Sequence, residues 1–133
     1  MTMGLSDTLN IRVDRSIQTD KLSYVWMYYN VEGPIDLTDD EITNTALEPL
    51  ENRLGEIFGN PTHENDPSYT MDTIVKDLTE FSNNELITTE DEISIYESSI
   101  TPDKTGFYYC VVVNELNGHI NAAATPIFQV TVM

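Results

Sequence analysis

Hydrophobic and polar positions alternate with a period of two near the start of the chain. Leu9, Ile11 and Val13 are separated by polar residues, which is the pattern of a strand with one buried face. In LSYVWMYYN, residues 22–30, both alternating faces carry mainly apolar or aromatic side chains. The sequence therefore predicts that residues 22–30 form a central strand, or a strand whose second face is covered by another element or by a partner.

The last third of the chain contains the pattern of a β-hairpin. Two apolar runs flank Asn117 and Gly118, a pair that favours the tight turns of hairpins. Pro126 cannot donate a ladder hydrogen bond, so we expect a break or a bulge in the final strand near this residue. The isoleucines of EISIYESSI, residues 92–100, alternate with more polar residues and predict one further strand.

The middle of the chain has helical periodicity. Leucines recur at the spacing of one helix face between residues 46 and 58, and a Gly-Asn-Pro sequence then stops the pattern. Thr45 and Glu48 are spaced as a capping box, which starts the predicted helix at Ala46 and places Pro49 in its first turn. The leucines that define the helix face are Leu47, Leu50 and Leu54.

Two segments after this helix are predicted as short edge strands. They are YTMDTIVKDL, residues 69–78, and NELITT, residues 84–89. Several short strands, with one helix that does not alternate with them, indicate an all-β sandwich that carries an insertion. A chain of 133 residues has the size of a single domain, residues 1–133.

The net charge of the chain argues against two classes of partner. The net charge is −17, from 23 acidic and 6 basic residues, and residues 34–92 hold 16 of the acids but two of the bases. Such a surface repels a phosphate backbone and an anionic lipid surface, so we expect neither nucleic acid nor membrane as a partner. The first 15 residues have neither the basic start nor the apolar run of a secretory signal, from which we expect a protein that is made in a cytosol and either stays there or leaves it by a route other than a cleaved signal.

Cys110 is the only cysteine of the chain. It excludes an internal disulfide and a cysteine-based zinc site. No activating neighbour is close in sequence, so we expect a buried small hydrophobe here, not a catalytic thiol.

The segment around Cys110 carries a family resemblance. DKTGFYYCVVVN, residues 103–114, resembles strand F of immunoglobulin-like (Ig-like) domains, and Tyr108 matches the tyrosine-corner position, whose hydroxyl bonds back to the preceding turn. LSYVWMYYN resembles strand C with its core tryptophan, Trp26, and ATPIFQVTV resembles the closing strand G. Together the segments are similar to Ig-like modules of bacteria and phages, over about residues 9–33 and 93–133.

The resemblance implies an Ig-like β-sandwich with residues 1–8 as an N-terminal arm and residues 34–92 as an acidic insertion carrying one short α-helix. The strand B cysteine of the family is missing, and its place falls near Val13 or Ile11. We therefore expect an aliphatic partner for Cys110. The implied core signature consists of Trp26, Tyr108, Cys110 and Val13.

The second face of the putative C and F strands is the candidate interaction face. It would form an exposed apolar patch if nothing covered it, so either the leucines of the insertion helix or a protein partner must lie on it. Its members are Met27, Tyr29, Phe107 and Tyr109.

Catalytic and metal chemistry find little support. His63 and His119 lie in polar loop or turn sequences without a nucleophile or ligand spaced to match. Three acidic clusters suggest calcium, but no helix-loop-helix calcium loop is present, and a solvated acidic face is the preferred interpretation. We predict no cofactor and no metal. The clusters are Asp36, Asp39, Asp40 and Glu41; Glu64, Asn65 and Asp66; and Glu90, Asp91 and Glu92.

The resemblance therefore implies a non-enzymatic accessory protein of a tailed-phage virion, assembled in the host cytoplasm and bound to other capsid or tail proteins as a decoration or attachment module. The alternative is an Ig-like module of a bacterial surface adhesin that binds a cell-surface glycan or a host protein. An enzyme would require a pocket in the middle segment.

Overall fold

The structure is a computed structural model that describes residues 2–3, 7–14, 16, 19–29, 40–58, 70–81, 84–92 and 95–132. Most of its regular structure is β, in two sheets, with two helices between the third and fourth strands. The strands are β1 (Thr2–Met3), β2 (Leu9–Arg12), β3 (Lys21–Tyr29), β4 (Asn84–Glu92), β5 (Glu97–Ile100), β6 (Gly106–Leu116), β7 (His119–Ala124) and β8 (Phe128–Val132). The helices are α1 (Asp40–Phe58) and α2 (Met71–Thr79).

The large sheet has the strand order β1-β8-β6-β3-β4, and β7 also pairs with β6. Its centre is the antiparallel pair β3 and β6, in which Trp26 lies opposite Cys110. Among the described strands, β2 and β5 form the small sheet. The predicted central strand at residues 22–30 is confirmed over residues 21–29, because both of its edges are paired. The N-terminal pair Thr2–Met3 adds to β8 in parallel orientation.

The C-terminal hairpin follows the sequence prediction. Asn117 and Gly118 have φ angles of 55° and 81°, the left-handed values that the tight hairpin turn requires. The break near Pro126 is also confirmed, since β7 ends at Ala124 and β8 begins at Phe128 while both pair with the same strand, β6. Thr125 bridges the break: its amide donates to the Cys110 carbonyl at 2.8 Å, and its hydroxyl accepts from the Cys110 amide at 3.0 Å.

The helix prediction was wrong at its N-terminal boundary. α1 begins at Asp40, so Thr45 lies inside the helix, the capping-box assignment fails, and Pro49 is an interior residue. An interior proline costs about 3 kcal/mol because it lacks an amide hydrogen and its ring clashes with the preceding turn. The burial of Leu50 and the other leucines of its face offsets that cost.

Residues 69–78 were wrongly predicted as an edge strand. They contain α2, which starts after Thr70, whose hydroxyl accepts from the Thr73 amide at 3.4 Å. Ile74 and Leu78 are four residues apart and both fully buried, which is the spacing of one helix face. The described part of the insertion thus carries two helices, not one. The prediction for residues 84–89 is confirmed, because they lie in the edge strand β4. The strand predicted at residues 92–100 is confirmed only over residues 97–100, as β5; Glu92 ends β4, Ile95 and Tyr96 lie in no strand, and residues 93–94 lie outside the described part.

Three layers result from this arrangement. One face of the large sheet packs on the small sheet, and the core between them contains Trp26, Tyr108 and Cys110. The other face packs on α1 and α2 through Leu50 and Ile74. The architecture is a sandwich-like, β-rich fold in which the helical insertion forms the third layer.

Candidate functional site

The turn before β6 is fixed by two tyrosines. The Tyr108 hydroxyl donates to the Lys104 carbonyl at 2.6 Å, and the Tyr28 hydroxyl donates to the Thr105 carbonyl at 2.8 Å. The two rings meet edge to face with centroids 5.1 Å apart, and the Lys104 ammonium lies 4.1 Å from the centroid of Tyr28. At Gly106, where φ is +157°, a Cβ atom would collide with the Tyr28 ring, so only glycine fits. The bond expected of Tyr108 is present.

Trp26 links the two sheets through a short polar chain. Its indole N–H donates to the Ser98 hydroxyl at 2.9 Å, and that hydroxyl donates to a Glu90 carboxylate oxygen at 2.7 Å. The three residues belong to β3, β5 and β4, so the chain joins the small sheet to the edge of the large one. The sequence contained no signal for this contact, because Trp26 and Ser98 are 72 positions apart in the chain.

Cys110 is fully buried, and burial raises the pKa of its thiol to about 12. At neutral pH it is therefore a neutral thiol in an apolar core, unsuited to nucleophilic attack. Ile11 is buried in the same cluster, and Val13 is partly buried against it. Aliphatic side chains thus occupy the core around Cys110, as expected in place of a second sulfur.

The candidate interaction face is not accessible. Met27, Tyr29, Phe107 and Tyr109 are all buried in the cluster that contains the helix leucines. Of the two covers considered from the sequence, the insertion's helices occupy this face, so a partner has no access to it. The physical reason is that two amphipathic helices, not one, supply apolar side chains to the sheet.

Asn84 fastens α2 to the covered face. The Tyr109 hydroxyl donates to the Asn84 side-chain oxygen at 3.0 Å, and the Asn84 side-chain nitrogen donates to the Leu78 carbonyl at 3.0 Å. Burial raises the pKa of Tyr109 well above its ordinary value, so its hydroxyl stays protonated and keeps its donor role. The helix layer is therefore held by buried polar contacts as well as by apolar packing.

Three large hydrophobic side chains of the described residues are markedly exposed. Leu86 and Ile87, which are adjacent in β4, are 43% and 41% exposed, and Ile95, three residues after the end of β4, is 41% exposed. β4 has one extra residue, Ile87, where its pairing changes from Thr88 opposite Trp26 to Leu86 opposite Met27. This β-bulge accounts for two adjacent aliphatic side chains that are both half-exposed.

Two concave regions lie on the described surface. A polar cleft of about 450 Å³ is lined by residues of β2, β4 and β5 and by Ile95. A more apolar groove of about 350 Å³ runs between the C-terminal half of α1 and the segment from Ala122 to Ile127. The polar side chains that line the cleft are Asn10, Arg12, Glu90, Glu97, Ser98 and Ser99.

The residues considered for metal or catalytic chemistry are not assembled into a site within the described part of the chain. No group of three or more histidine, cysteine or acidic side chains with metal-binding proximity occurs there. His63 and the cluster at residues 64–66 lie outside the described residues, as do Asp36 and Asp39. Among the described residues, no helix is long and apolar enough to cross a membrane.

Comparisons with models of protein families, with curated proteins and with solved structures give no match.

Proposed function

We propose that this chain is an Ig-like, non-enzymatic accessory module of a virion, which attaches to a capsid or tail protein. The observation that carries the Ig-like assignment is the bond from the Tyr108 hydroxyl to the Lys104 carbonyl at 2.6 Å, two residues before Cys110 in β6. A tyrosine at this place, bonded back to the preceding turn, is a hallmark of Ig sandwiches.

The sheet topology supports the same assignment. In Ig sandwiches of the variable type, strands C, F, G and C′ share one sheet, while B and E lie in the other. In this chain, strand C corresponds to β3, strand F to β6, strand G to the β7–β8 pair and strand C′ to β4. Strands B and E correspond to β2 and β5 of the small sheet. On this assignment the two helices are an insertion between strands C and C′.

The state of Cys110 supports assembly in a reducing compartment. An Ig sandwich without its disulfide forgoes about 2–4 kcal/mol, which packing must supply. Here Cys110 is a free, buried thiol packed among apolar side chains, a core that needs no oxidising environment to form. Assembly in a host cytoplasm is consistent with this chemistry.

The charge selects the partner. With a net charge of −17, the chain favours a basic protein surface over nucleic acid or anionic lipid. The step from an acidic Ig-like module to virion attachment rests on the family resemblance and on no site chemistry.

Co-sedimentation tests this proposal. Particles purified on a density gradient from cultures that produce the chain are probed with an antibody raised against the recombinant protein. We expect the chain in the particle fraction at a fixed ratio to the main capsid or tail protein, retained after washing at moderate salt. A chain found wholly in the particle-free fractions would overturn the proposal.

The polar cleft favours the adhesin alternative, because its carboxylates, amide and hydroxyls are groups that hydrogen-bond to sugars. A glycan array with the native protein and with Glu97→Gln tests it, and Glu115→Gln, outside the cleft, is the control. Selective glycan binding lost in Glu97→Gln alone supports this alternative. Absence of glycan binding removes it.

A further inference from the structure

β4 is a long open edge of the large sheet. It spans nine residues and pairs with β3 on one side, and none of the described strands pairs with its other side. Such an edge presents unpaired amide and carbonyl groups that accept an added strand. Natural proteins blunt edges of this kind with charges and bulges, and β4 carries both.

Two adjacent apolar side chains are exposed on this edge strand. Leu86 and Ile87 of β4 are 43% and 41% exposed. Exposed aliphatic residues gathered beside an open strand mark an interaction site more strongly than scattered ones. The polar cleft adjoins this edge through Glu90 and Ile95.

The acidic residues on and near β4 indicate the charge of a segment that would bind there. Residues 84–97 contain five acidic residues and no basic one. Glu85 and Glu97 are paired with Lys104 at 3.0 Å and Arg12 at 3.7 Å, whereas Glu90 accepts only from a neutral hydroxyl among the described residues. Pairing with a second copy of this edge would place like charges opposite each other, which is unfavourable. A segment with lysine or arginine would instead place positive charges opposite these carboxylates, which is favourable.

We propose that β4 binds an extended basic segment of the partner protein as an added strand of the large sheet. This inference rests on the proposed attachment function and names the surface that performs it. Glu85 and Glu90 lie on the small-sheet face of β4, opposite Tyr28 and Tyr24, while Leu86 lies on the helix face, opposite Met27. Residues directly opposite on neighbouring strands share a face. The bound segment therefore carries lysine or arginine on the small-sheet face and an apolar residue on the helix face beside Leu86.

Three eight-residue peptides separate strand addition from general attraction to an acidic protein. An alternating Lys-Val peptide has the proposed pattern, a Lys-Pro peptide has the same charge but lacks half of the amide donors, and a Glu-Val peptide has the opposite charge. Fluorescence anisotropy measures affinity, and amide hydrogen exchange read by NMR locates the site. We expect Lys-Val to bind at least about tenfold more tightly than Lys-Pro, which is about 1.4 kcal/mol, and to slow exchange in residues 84–92.

A matched pair of variants tests the location. Leu86→Lys on β4 and Ala123→Lys on the exposed part of β7 each add one positive charge. We expect Leu86→Lys to weaken Lys-Val binding about tenfold more than Ala123→Lys does. Equal losses in the two variants, equal affinity for Lys-Val and Lys-Pro, or unchanged exchange at β4 would each overturn the proposal.

Three further outcomes can be told apart. A homodimer in analytical ultracentrifugation that Leu86→Lys dissociates would assign the edge to a second copy and overturn the proposal. Particle attachment that survives Leu86→Lys unchanged would refute this surface but leave the attachment function standing. A chain absent from particles that still binds Lys-Val at β4 would refute the attachment function alone.

Discussion

Tyr108→Phe removes one hydroxyl and leaves the ring in place, which makes it a direct probe of the turn before β6. The hydroxyl donates to the Lys104 carbonyl at 2.6 Å, and the ring packs on Tyr28 with centroids 5.1 Å apart. The ring contact survives the substitution, so the measured change reports the hydrogen bond.

The magnitude follows from that bond. Losing one intramolecular hydrogen bond costs about 0.5–1.5 kcal/mol, and a buried acceptor left without a donor costs about 1–3 kcal/mol. The bond is only partly buried, so water replaces part of it. We therefore expect the free energy of unfolding to fall by about 1–2 kcal/mol, near the middle of these ranges.

Urea unfolding followed by tryptophan fluorescence measures this change, since Trp26 is fully buried in the native state. A domain of this size loses about 4 °C of melting temperature per kcal/mol, so thermal unfolding should shift downward by about 4–8 °C. Tyr29→Phe is the control, because the Tyr29 hydroxyl makes no hydrogen bond to the described residues, and we expect it to change stability by less than about 0.5 kcal/mol. Equal stability of the two variants would refute the role given to the tyrosine corner.

Three other predictions address the remaining parts of the structure. Leu50→Ala, at the helix layer, should lower the free energy of unfolding by about 2–5 kcal/mol, measured by urea titration. Cys110 should resist maleimide labelling at pH 8 in the native state and react fully in denaturant, because its pKa is raised to about 12. Burial raises the pKa of Tyr24 to about 12, so the stability it contributes is complete below pH 10 and is lost as pH rises towards 12, a loss that Tyr24→Phe should reduce.

Each of these has an outcome that contradicts it. Leu50→Ala no more destabilising than the exposed-site variant Glu51→Ala would mean that α1 does not cover the sheet. Rapid native labelling of Cys110 would contradict its burial. An alkaline stability profile of Tyr24→Phe that matches the native protein would show that Tyr24 does not carry the pH dependence.

The strands at both ends of the chain were predictable because their information is local. The alternation at Leu9 and Ile11, the Asn117–Gly118 turn and the break at Pro126 each follow from a few neighbouring residues. Turn chemistry and the period of two suffice for such elements. The bond of Tyr108 to the preceding turn was expected from the family resemblance of residues 103–114, and its acceptor is the Lys104 carbonyl.

The helical insertion was less predictable because two local signals pointed the wrong way. The capping-box spacing of Thr45 and Glu48 placed the start of α1 too late, and Pro49, which fitted a first turn there, lies inside the helix. The β-branched residues of α2 suggested a strand. The segment is a helix, which places Ile74 and Leu78 on one face and buries both against the sheet. Tertiary packing overrode propensity in both cases.

The candidate site depended on contacts that no local pattern encodes. Whether helices or a partner cover Tyr29 and Tyr109 is decided by segments distant in sequence, and so is the chain from Trp26 through Ser98 to Glu90. Residues 84–89 were predicted as an edge strand, but the bulge at Ile87 and the pairing of β4 with β3 become visible only in the structure. The aromatic face proposed from the sequence is therefore buried, whereas Leu86 and Ile87 on the edge strand are exposed.

Cryo-electron microscopy of purified particles, from cultures that produce the chain, tests the central claim of an attached Ig-like module most directly. We expect a regular, multi-copy density on the capsid or tail into which the two sheets and the helix layer fit, with β4 towards the neighbouring subunit. Particles without such density, together with the chain recovered from the cell envelope, would contradict it.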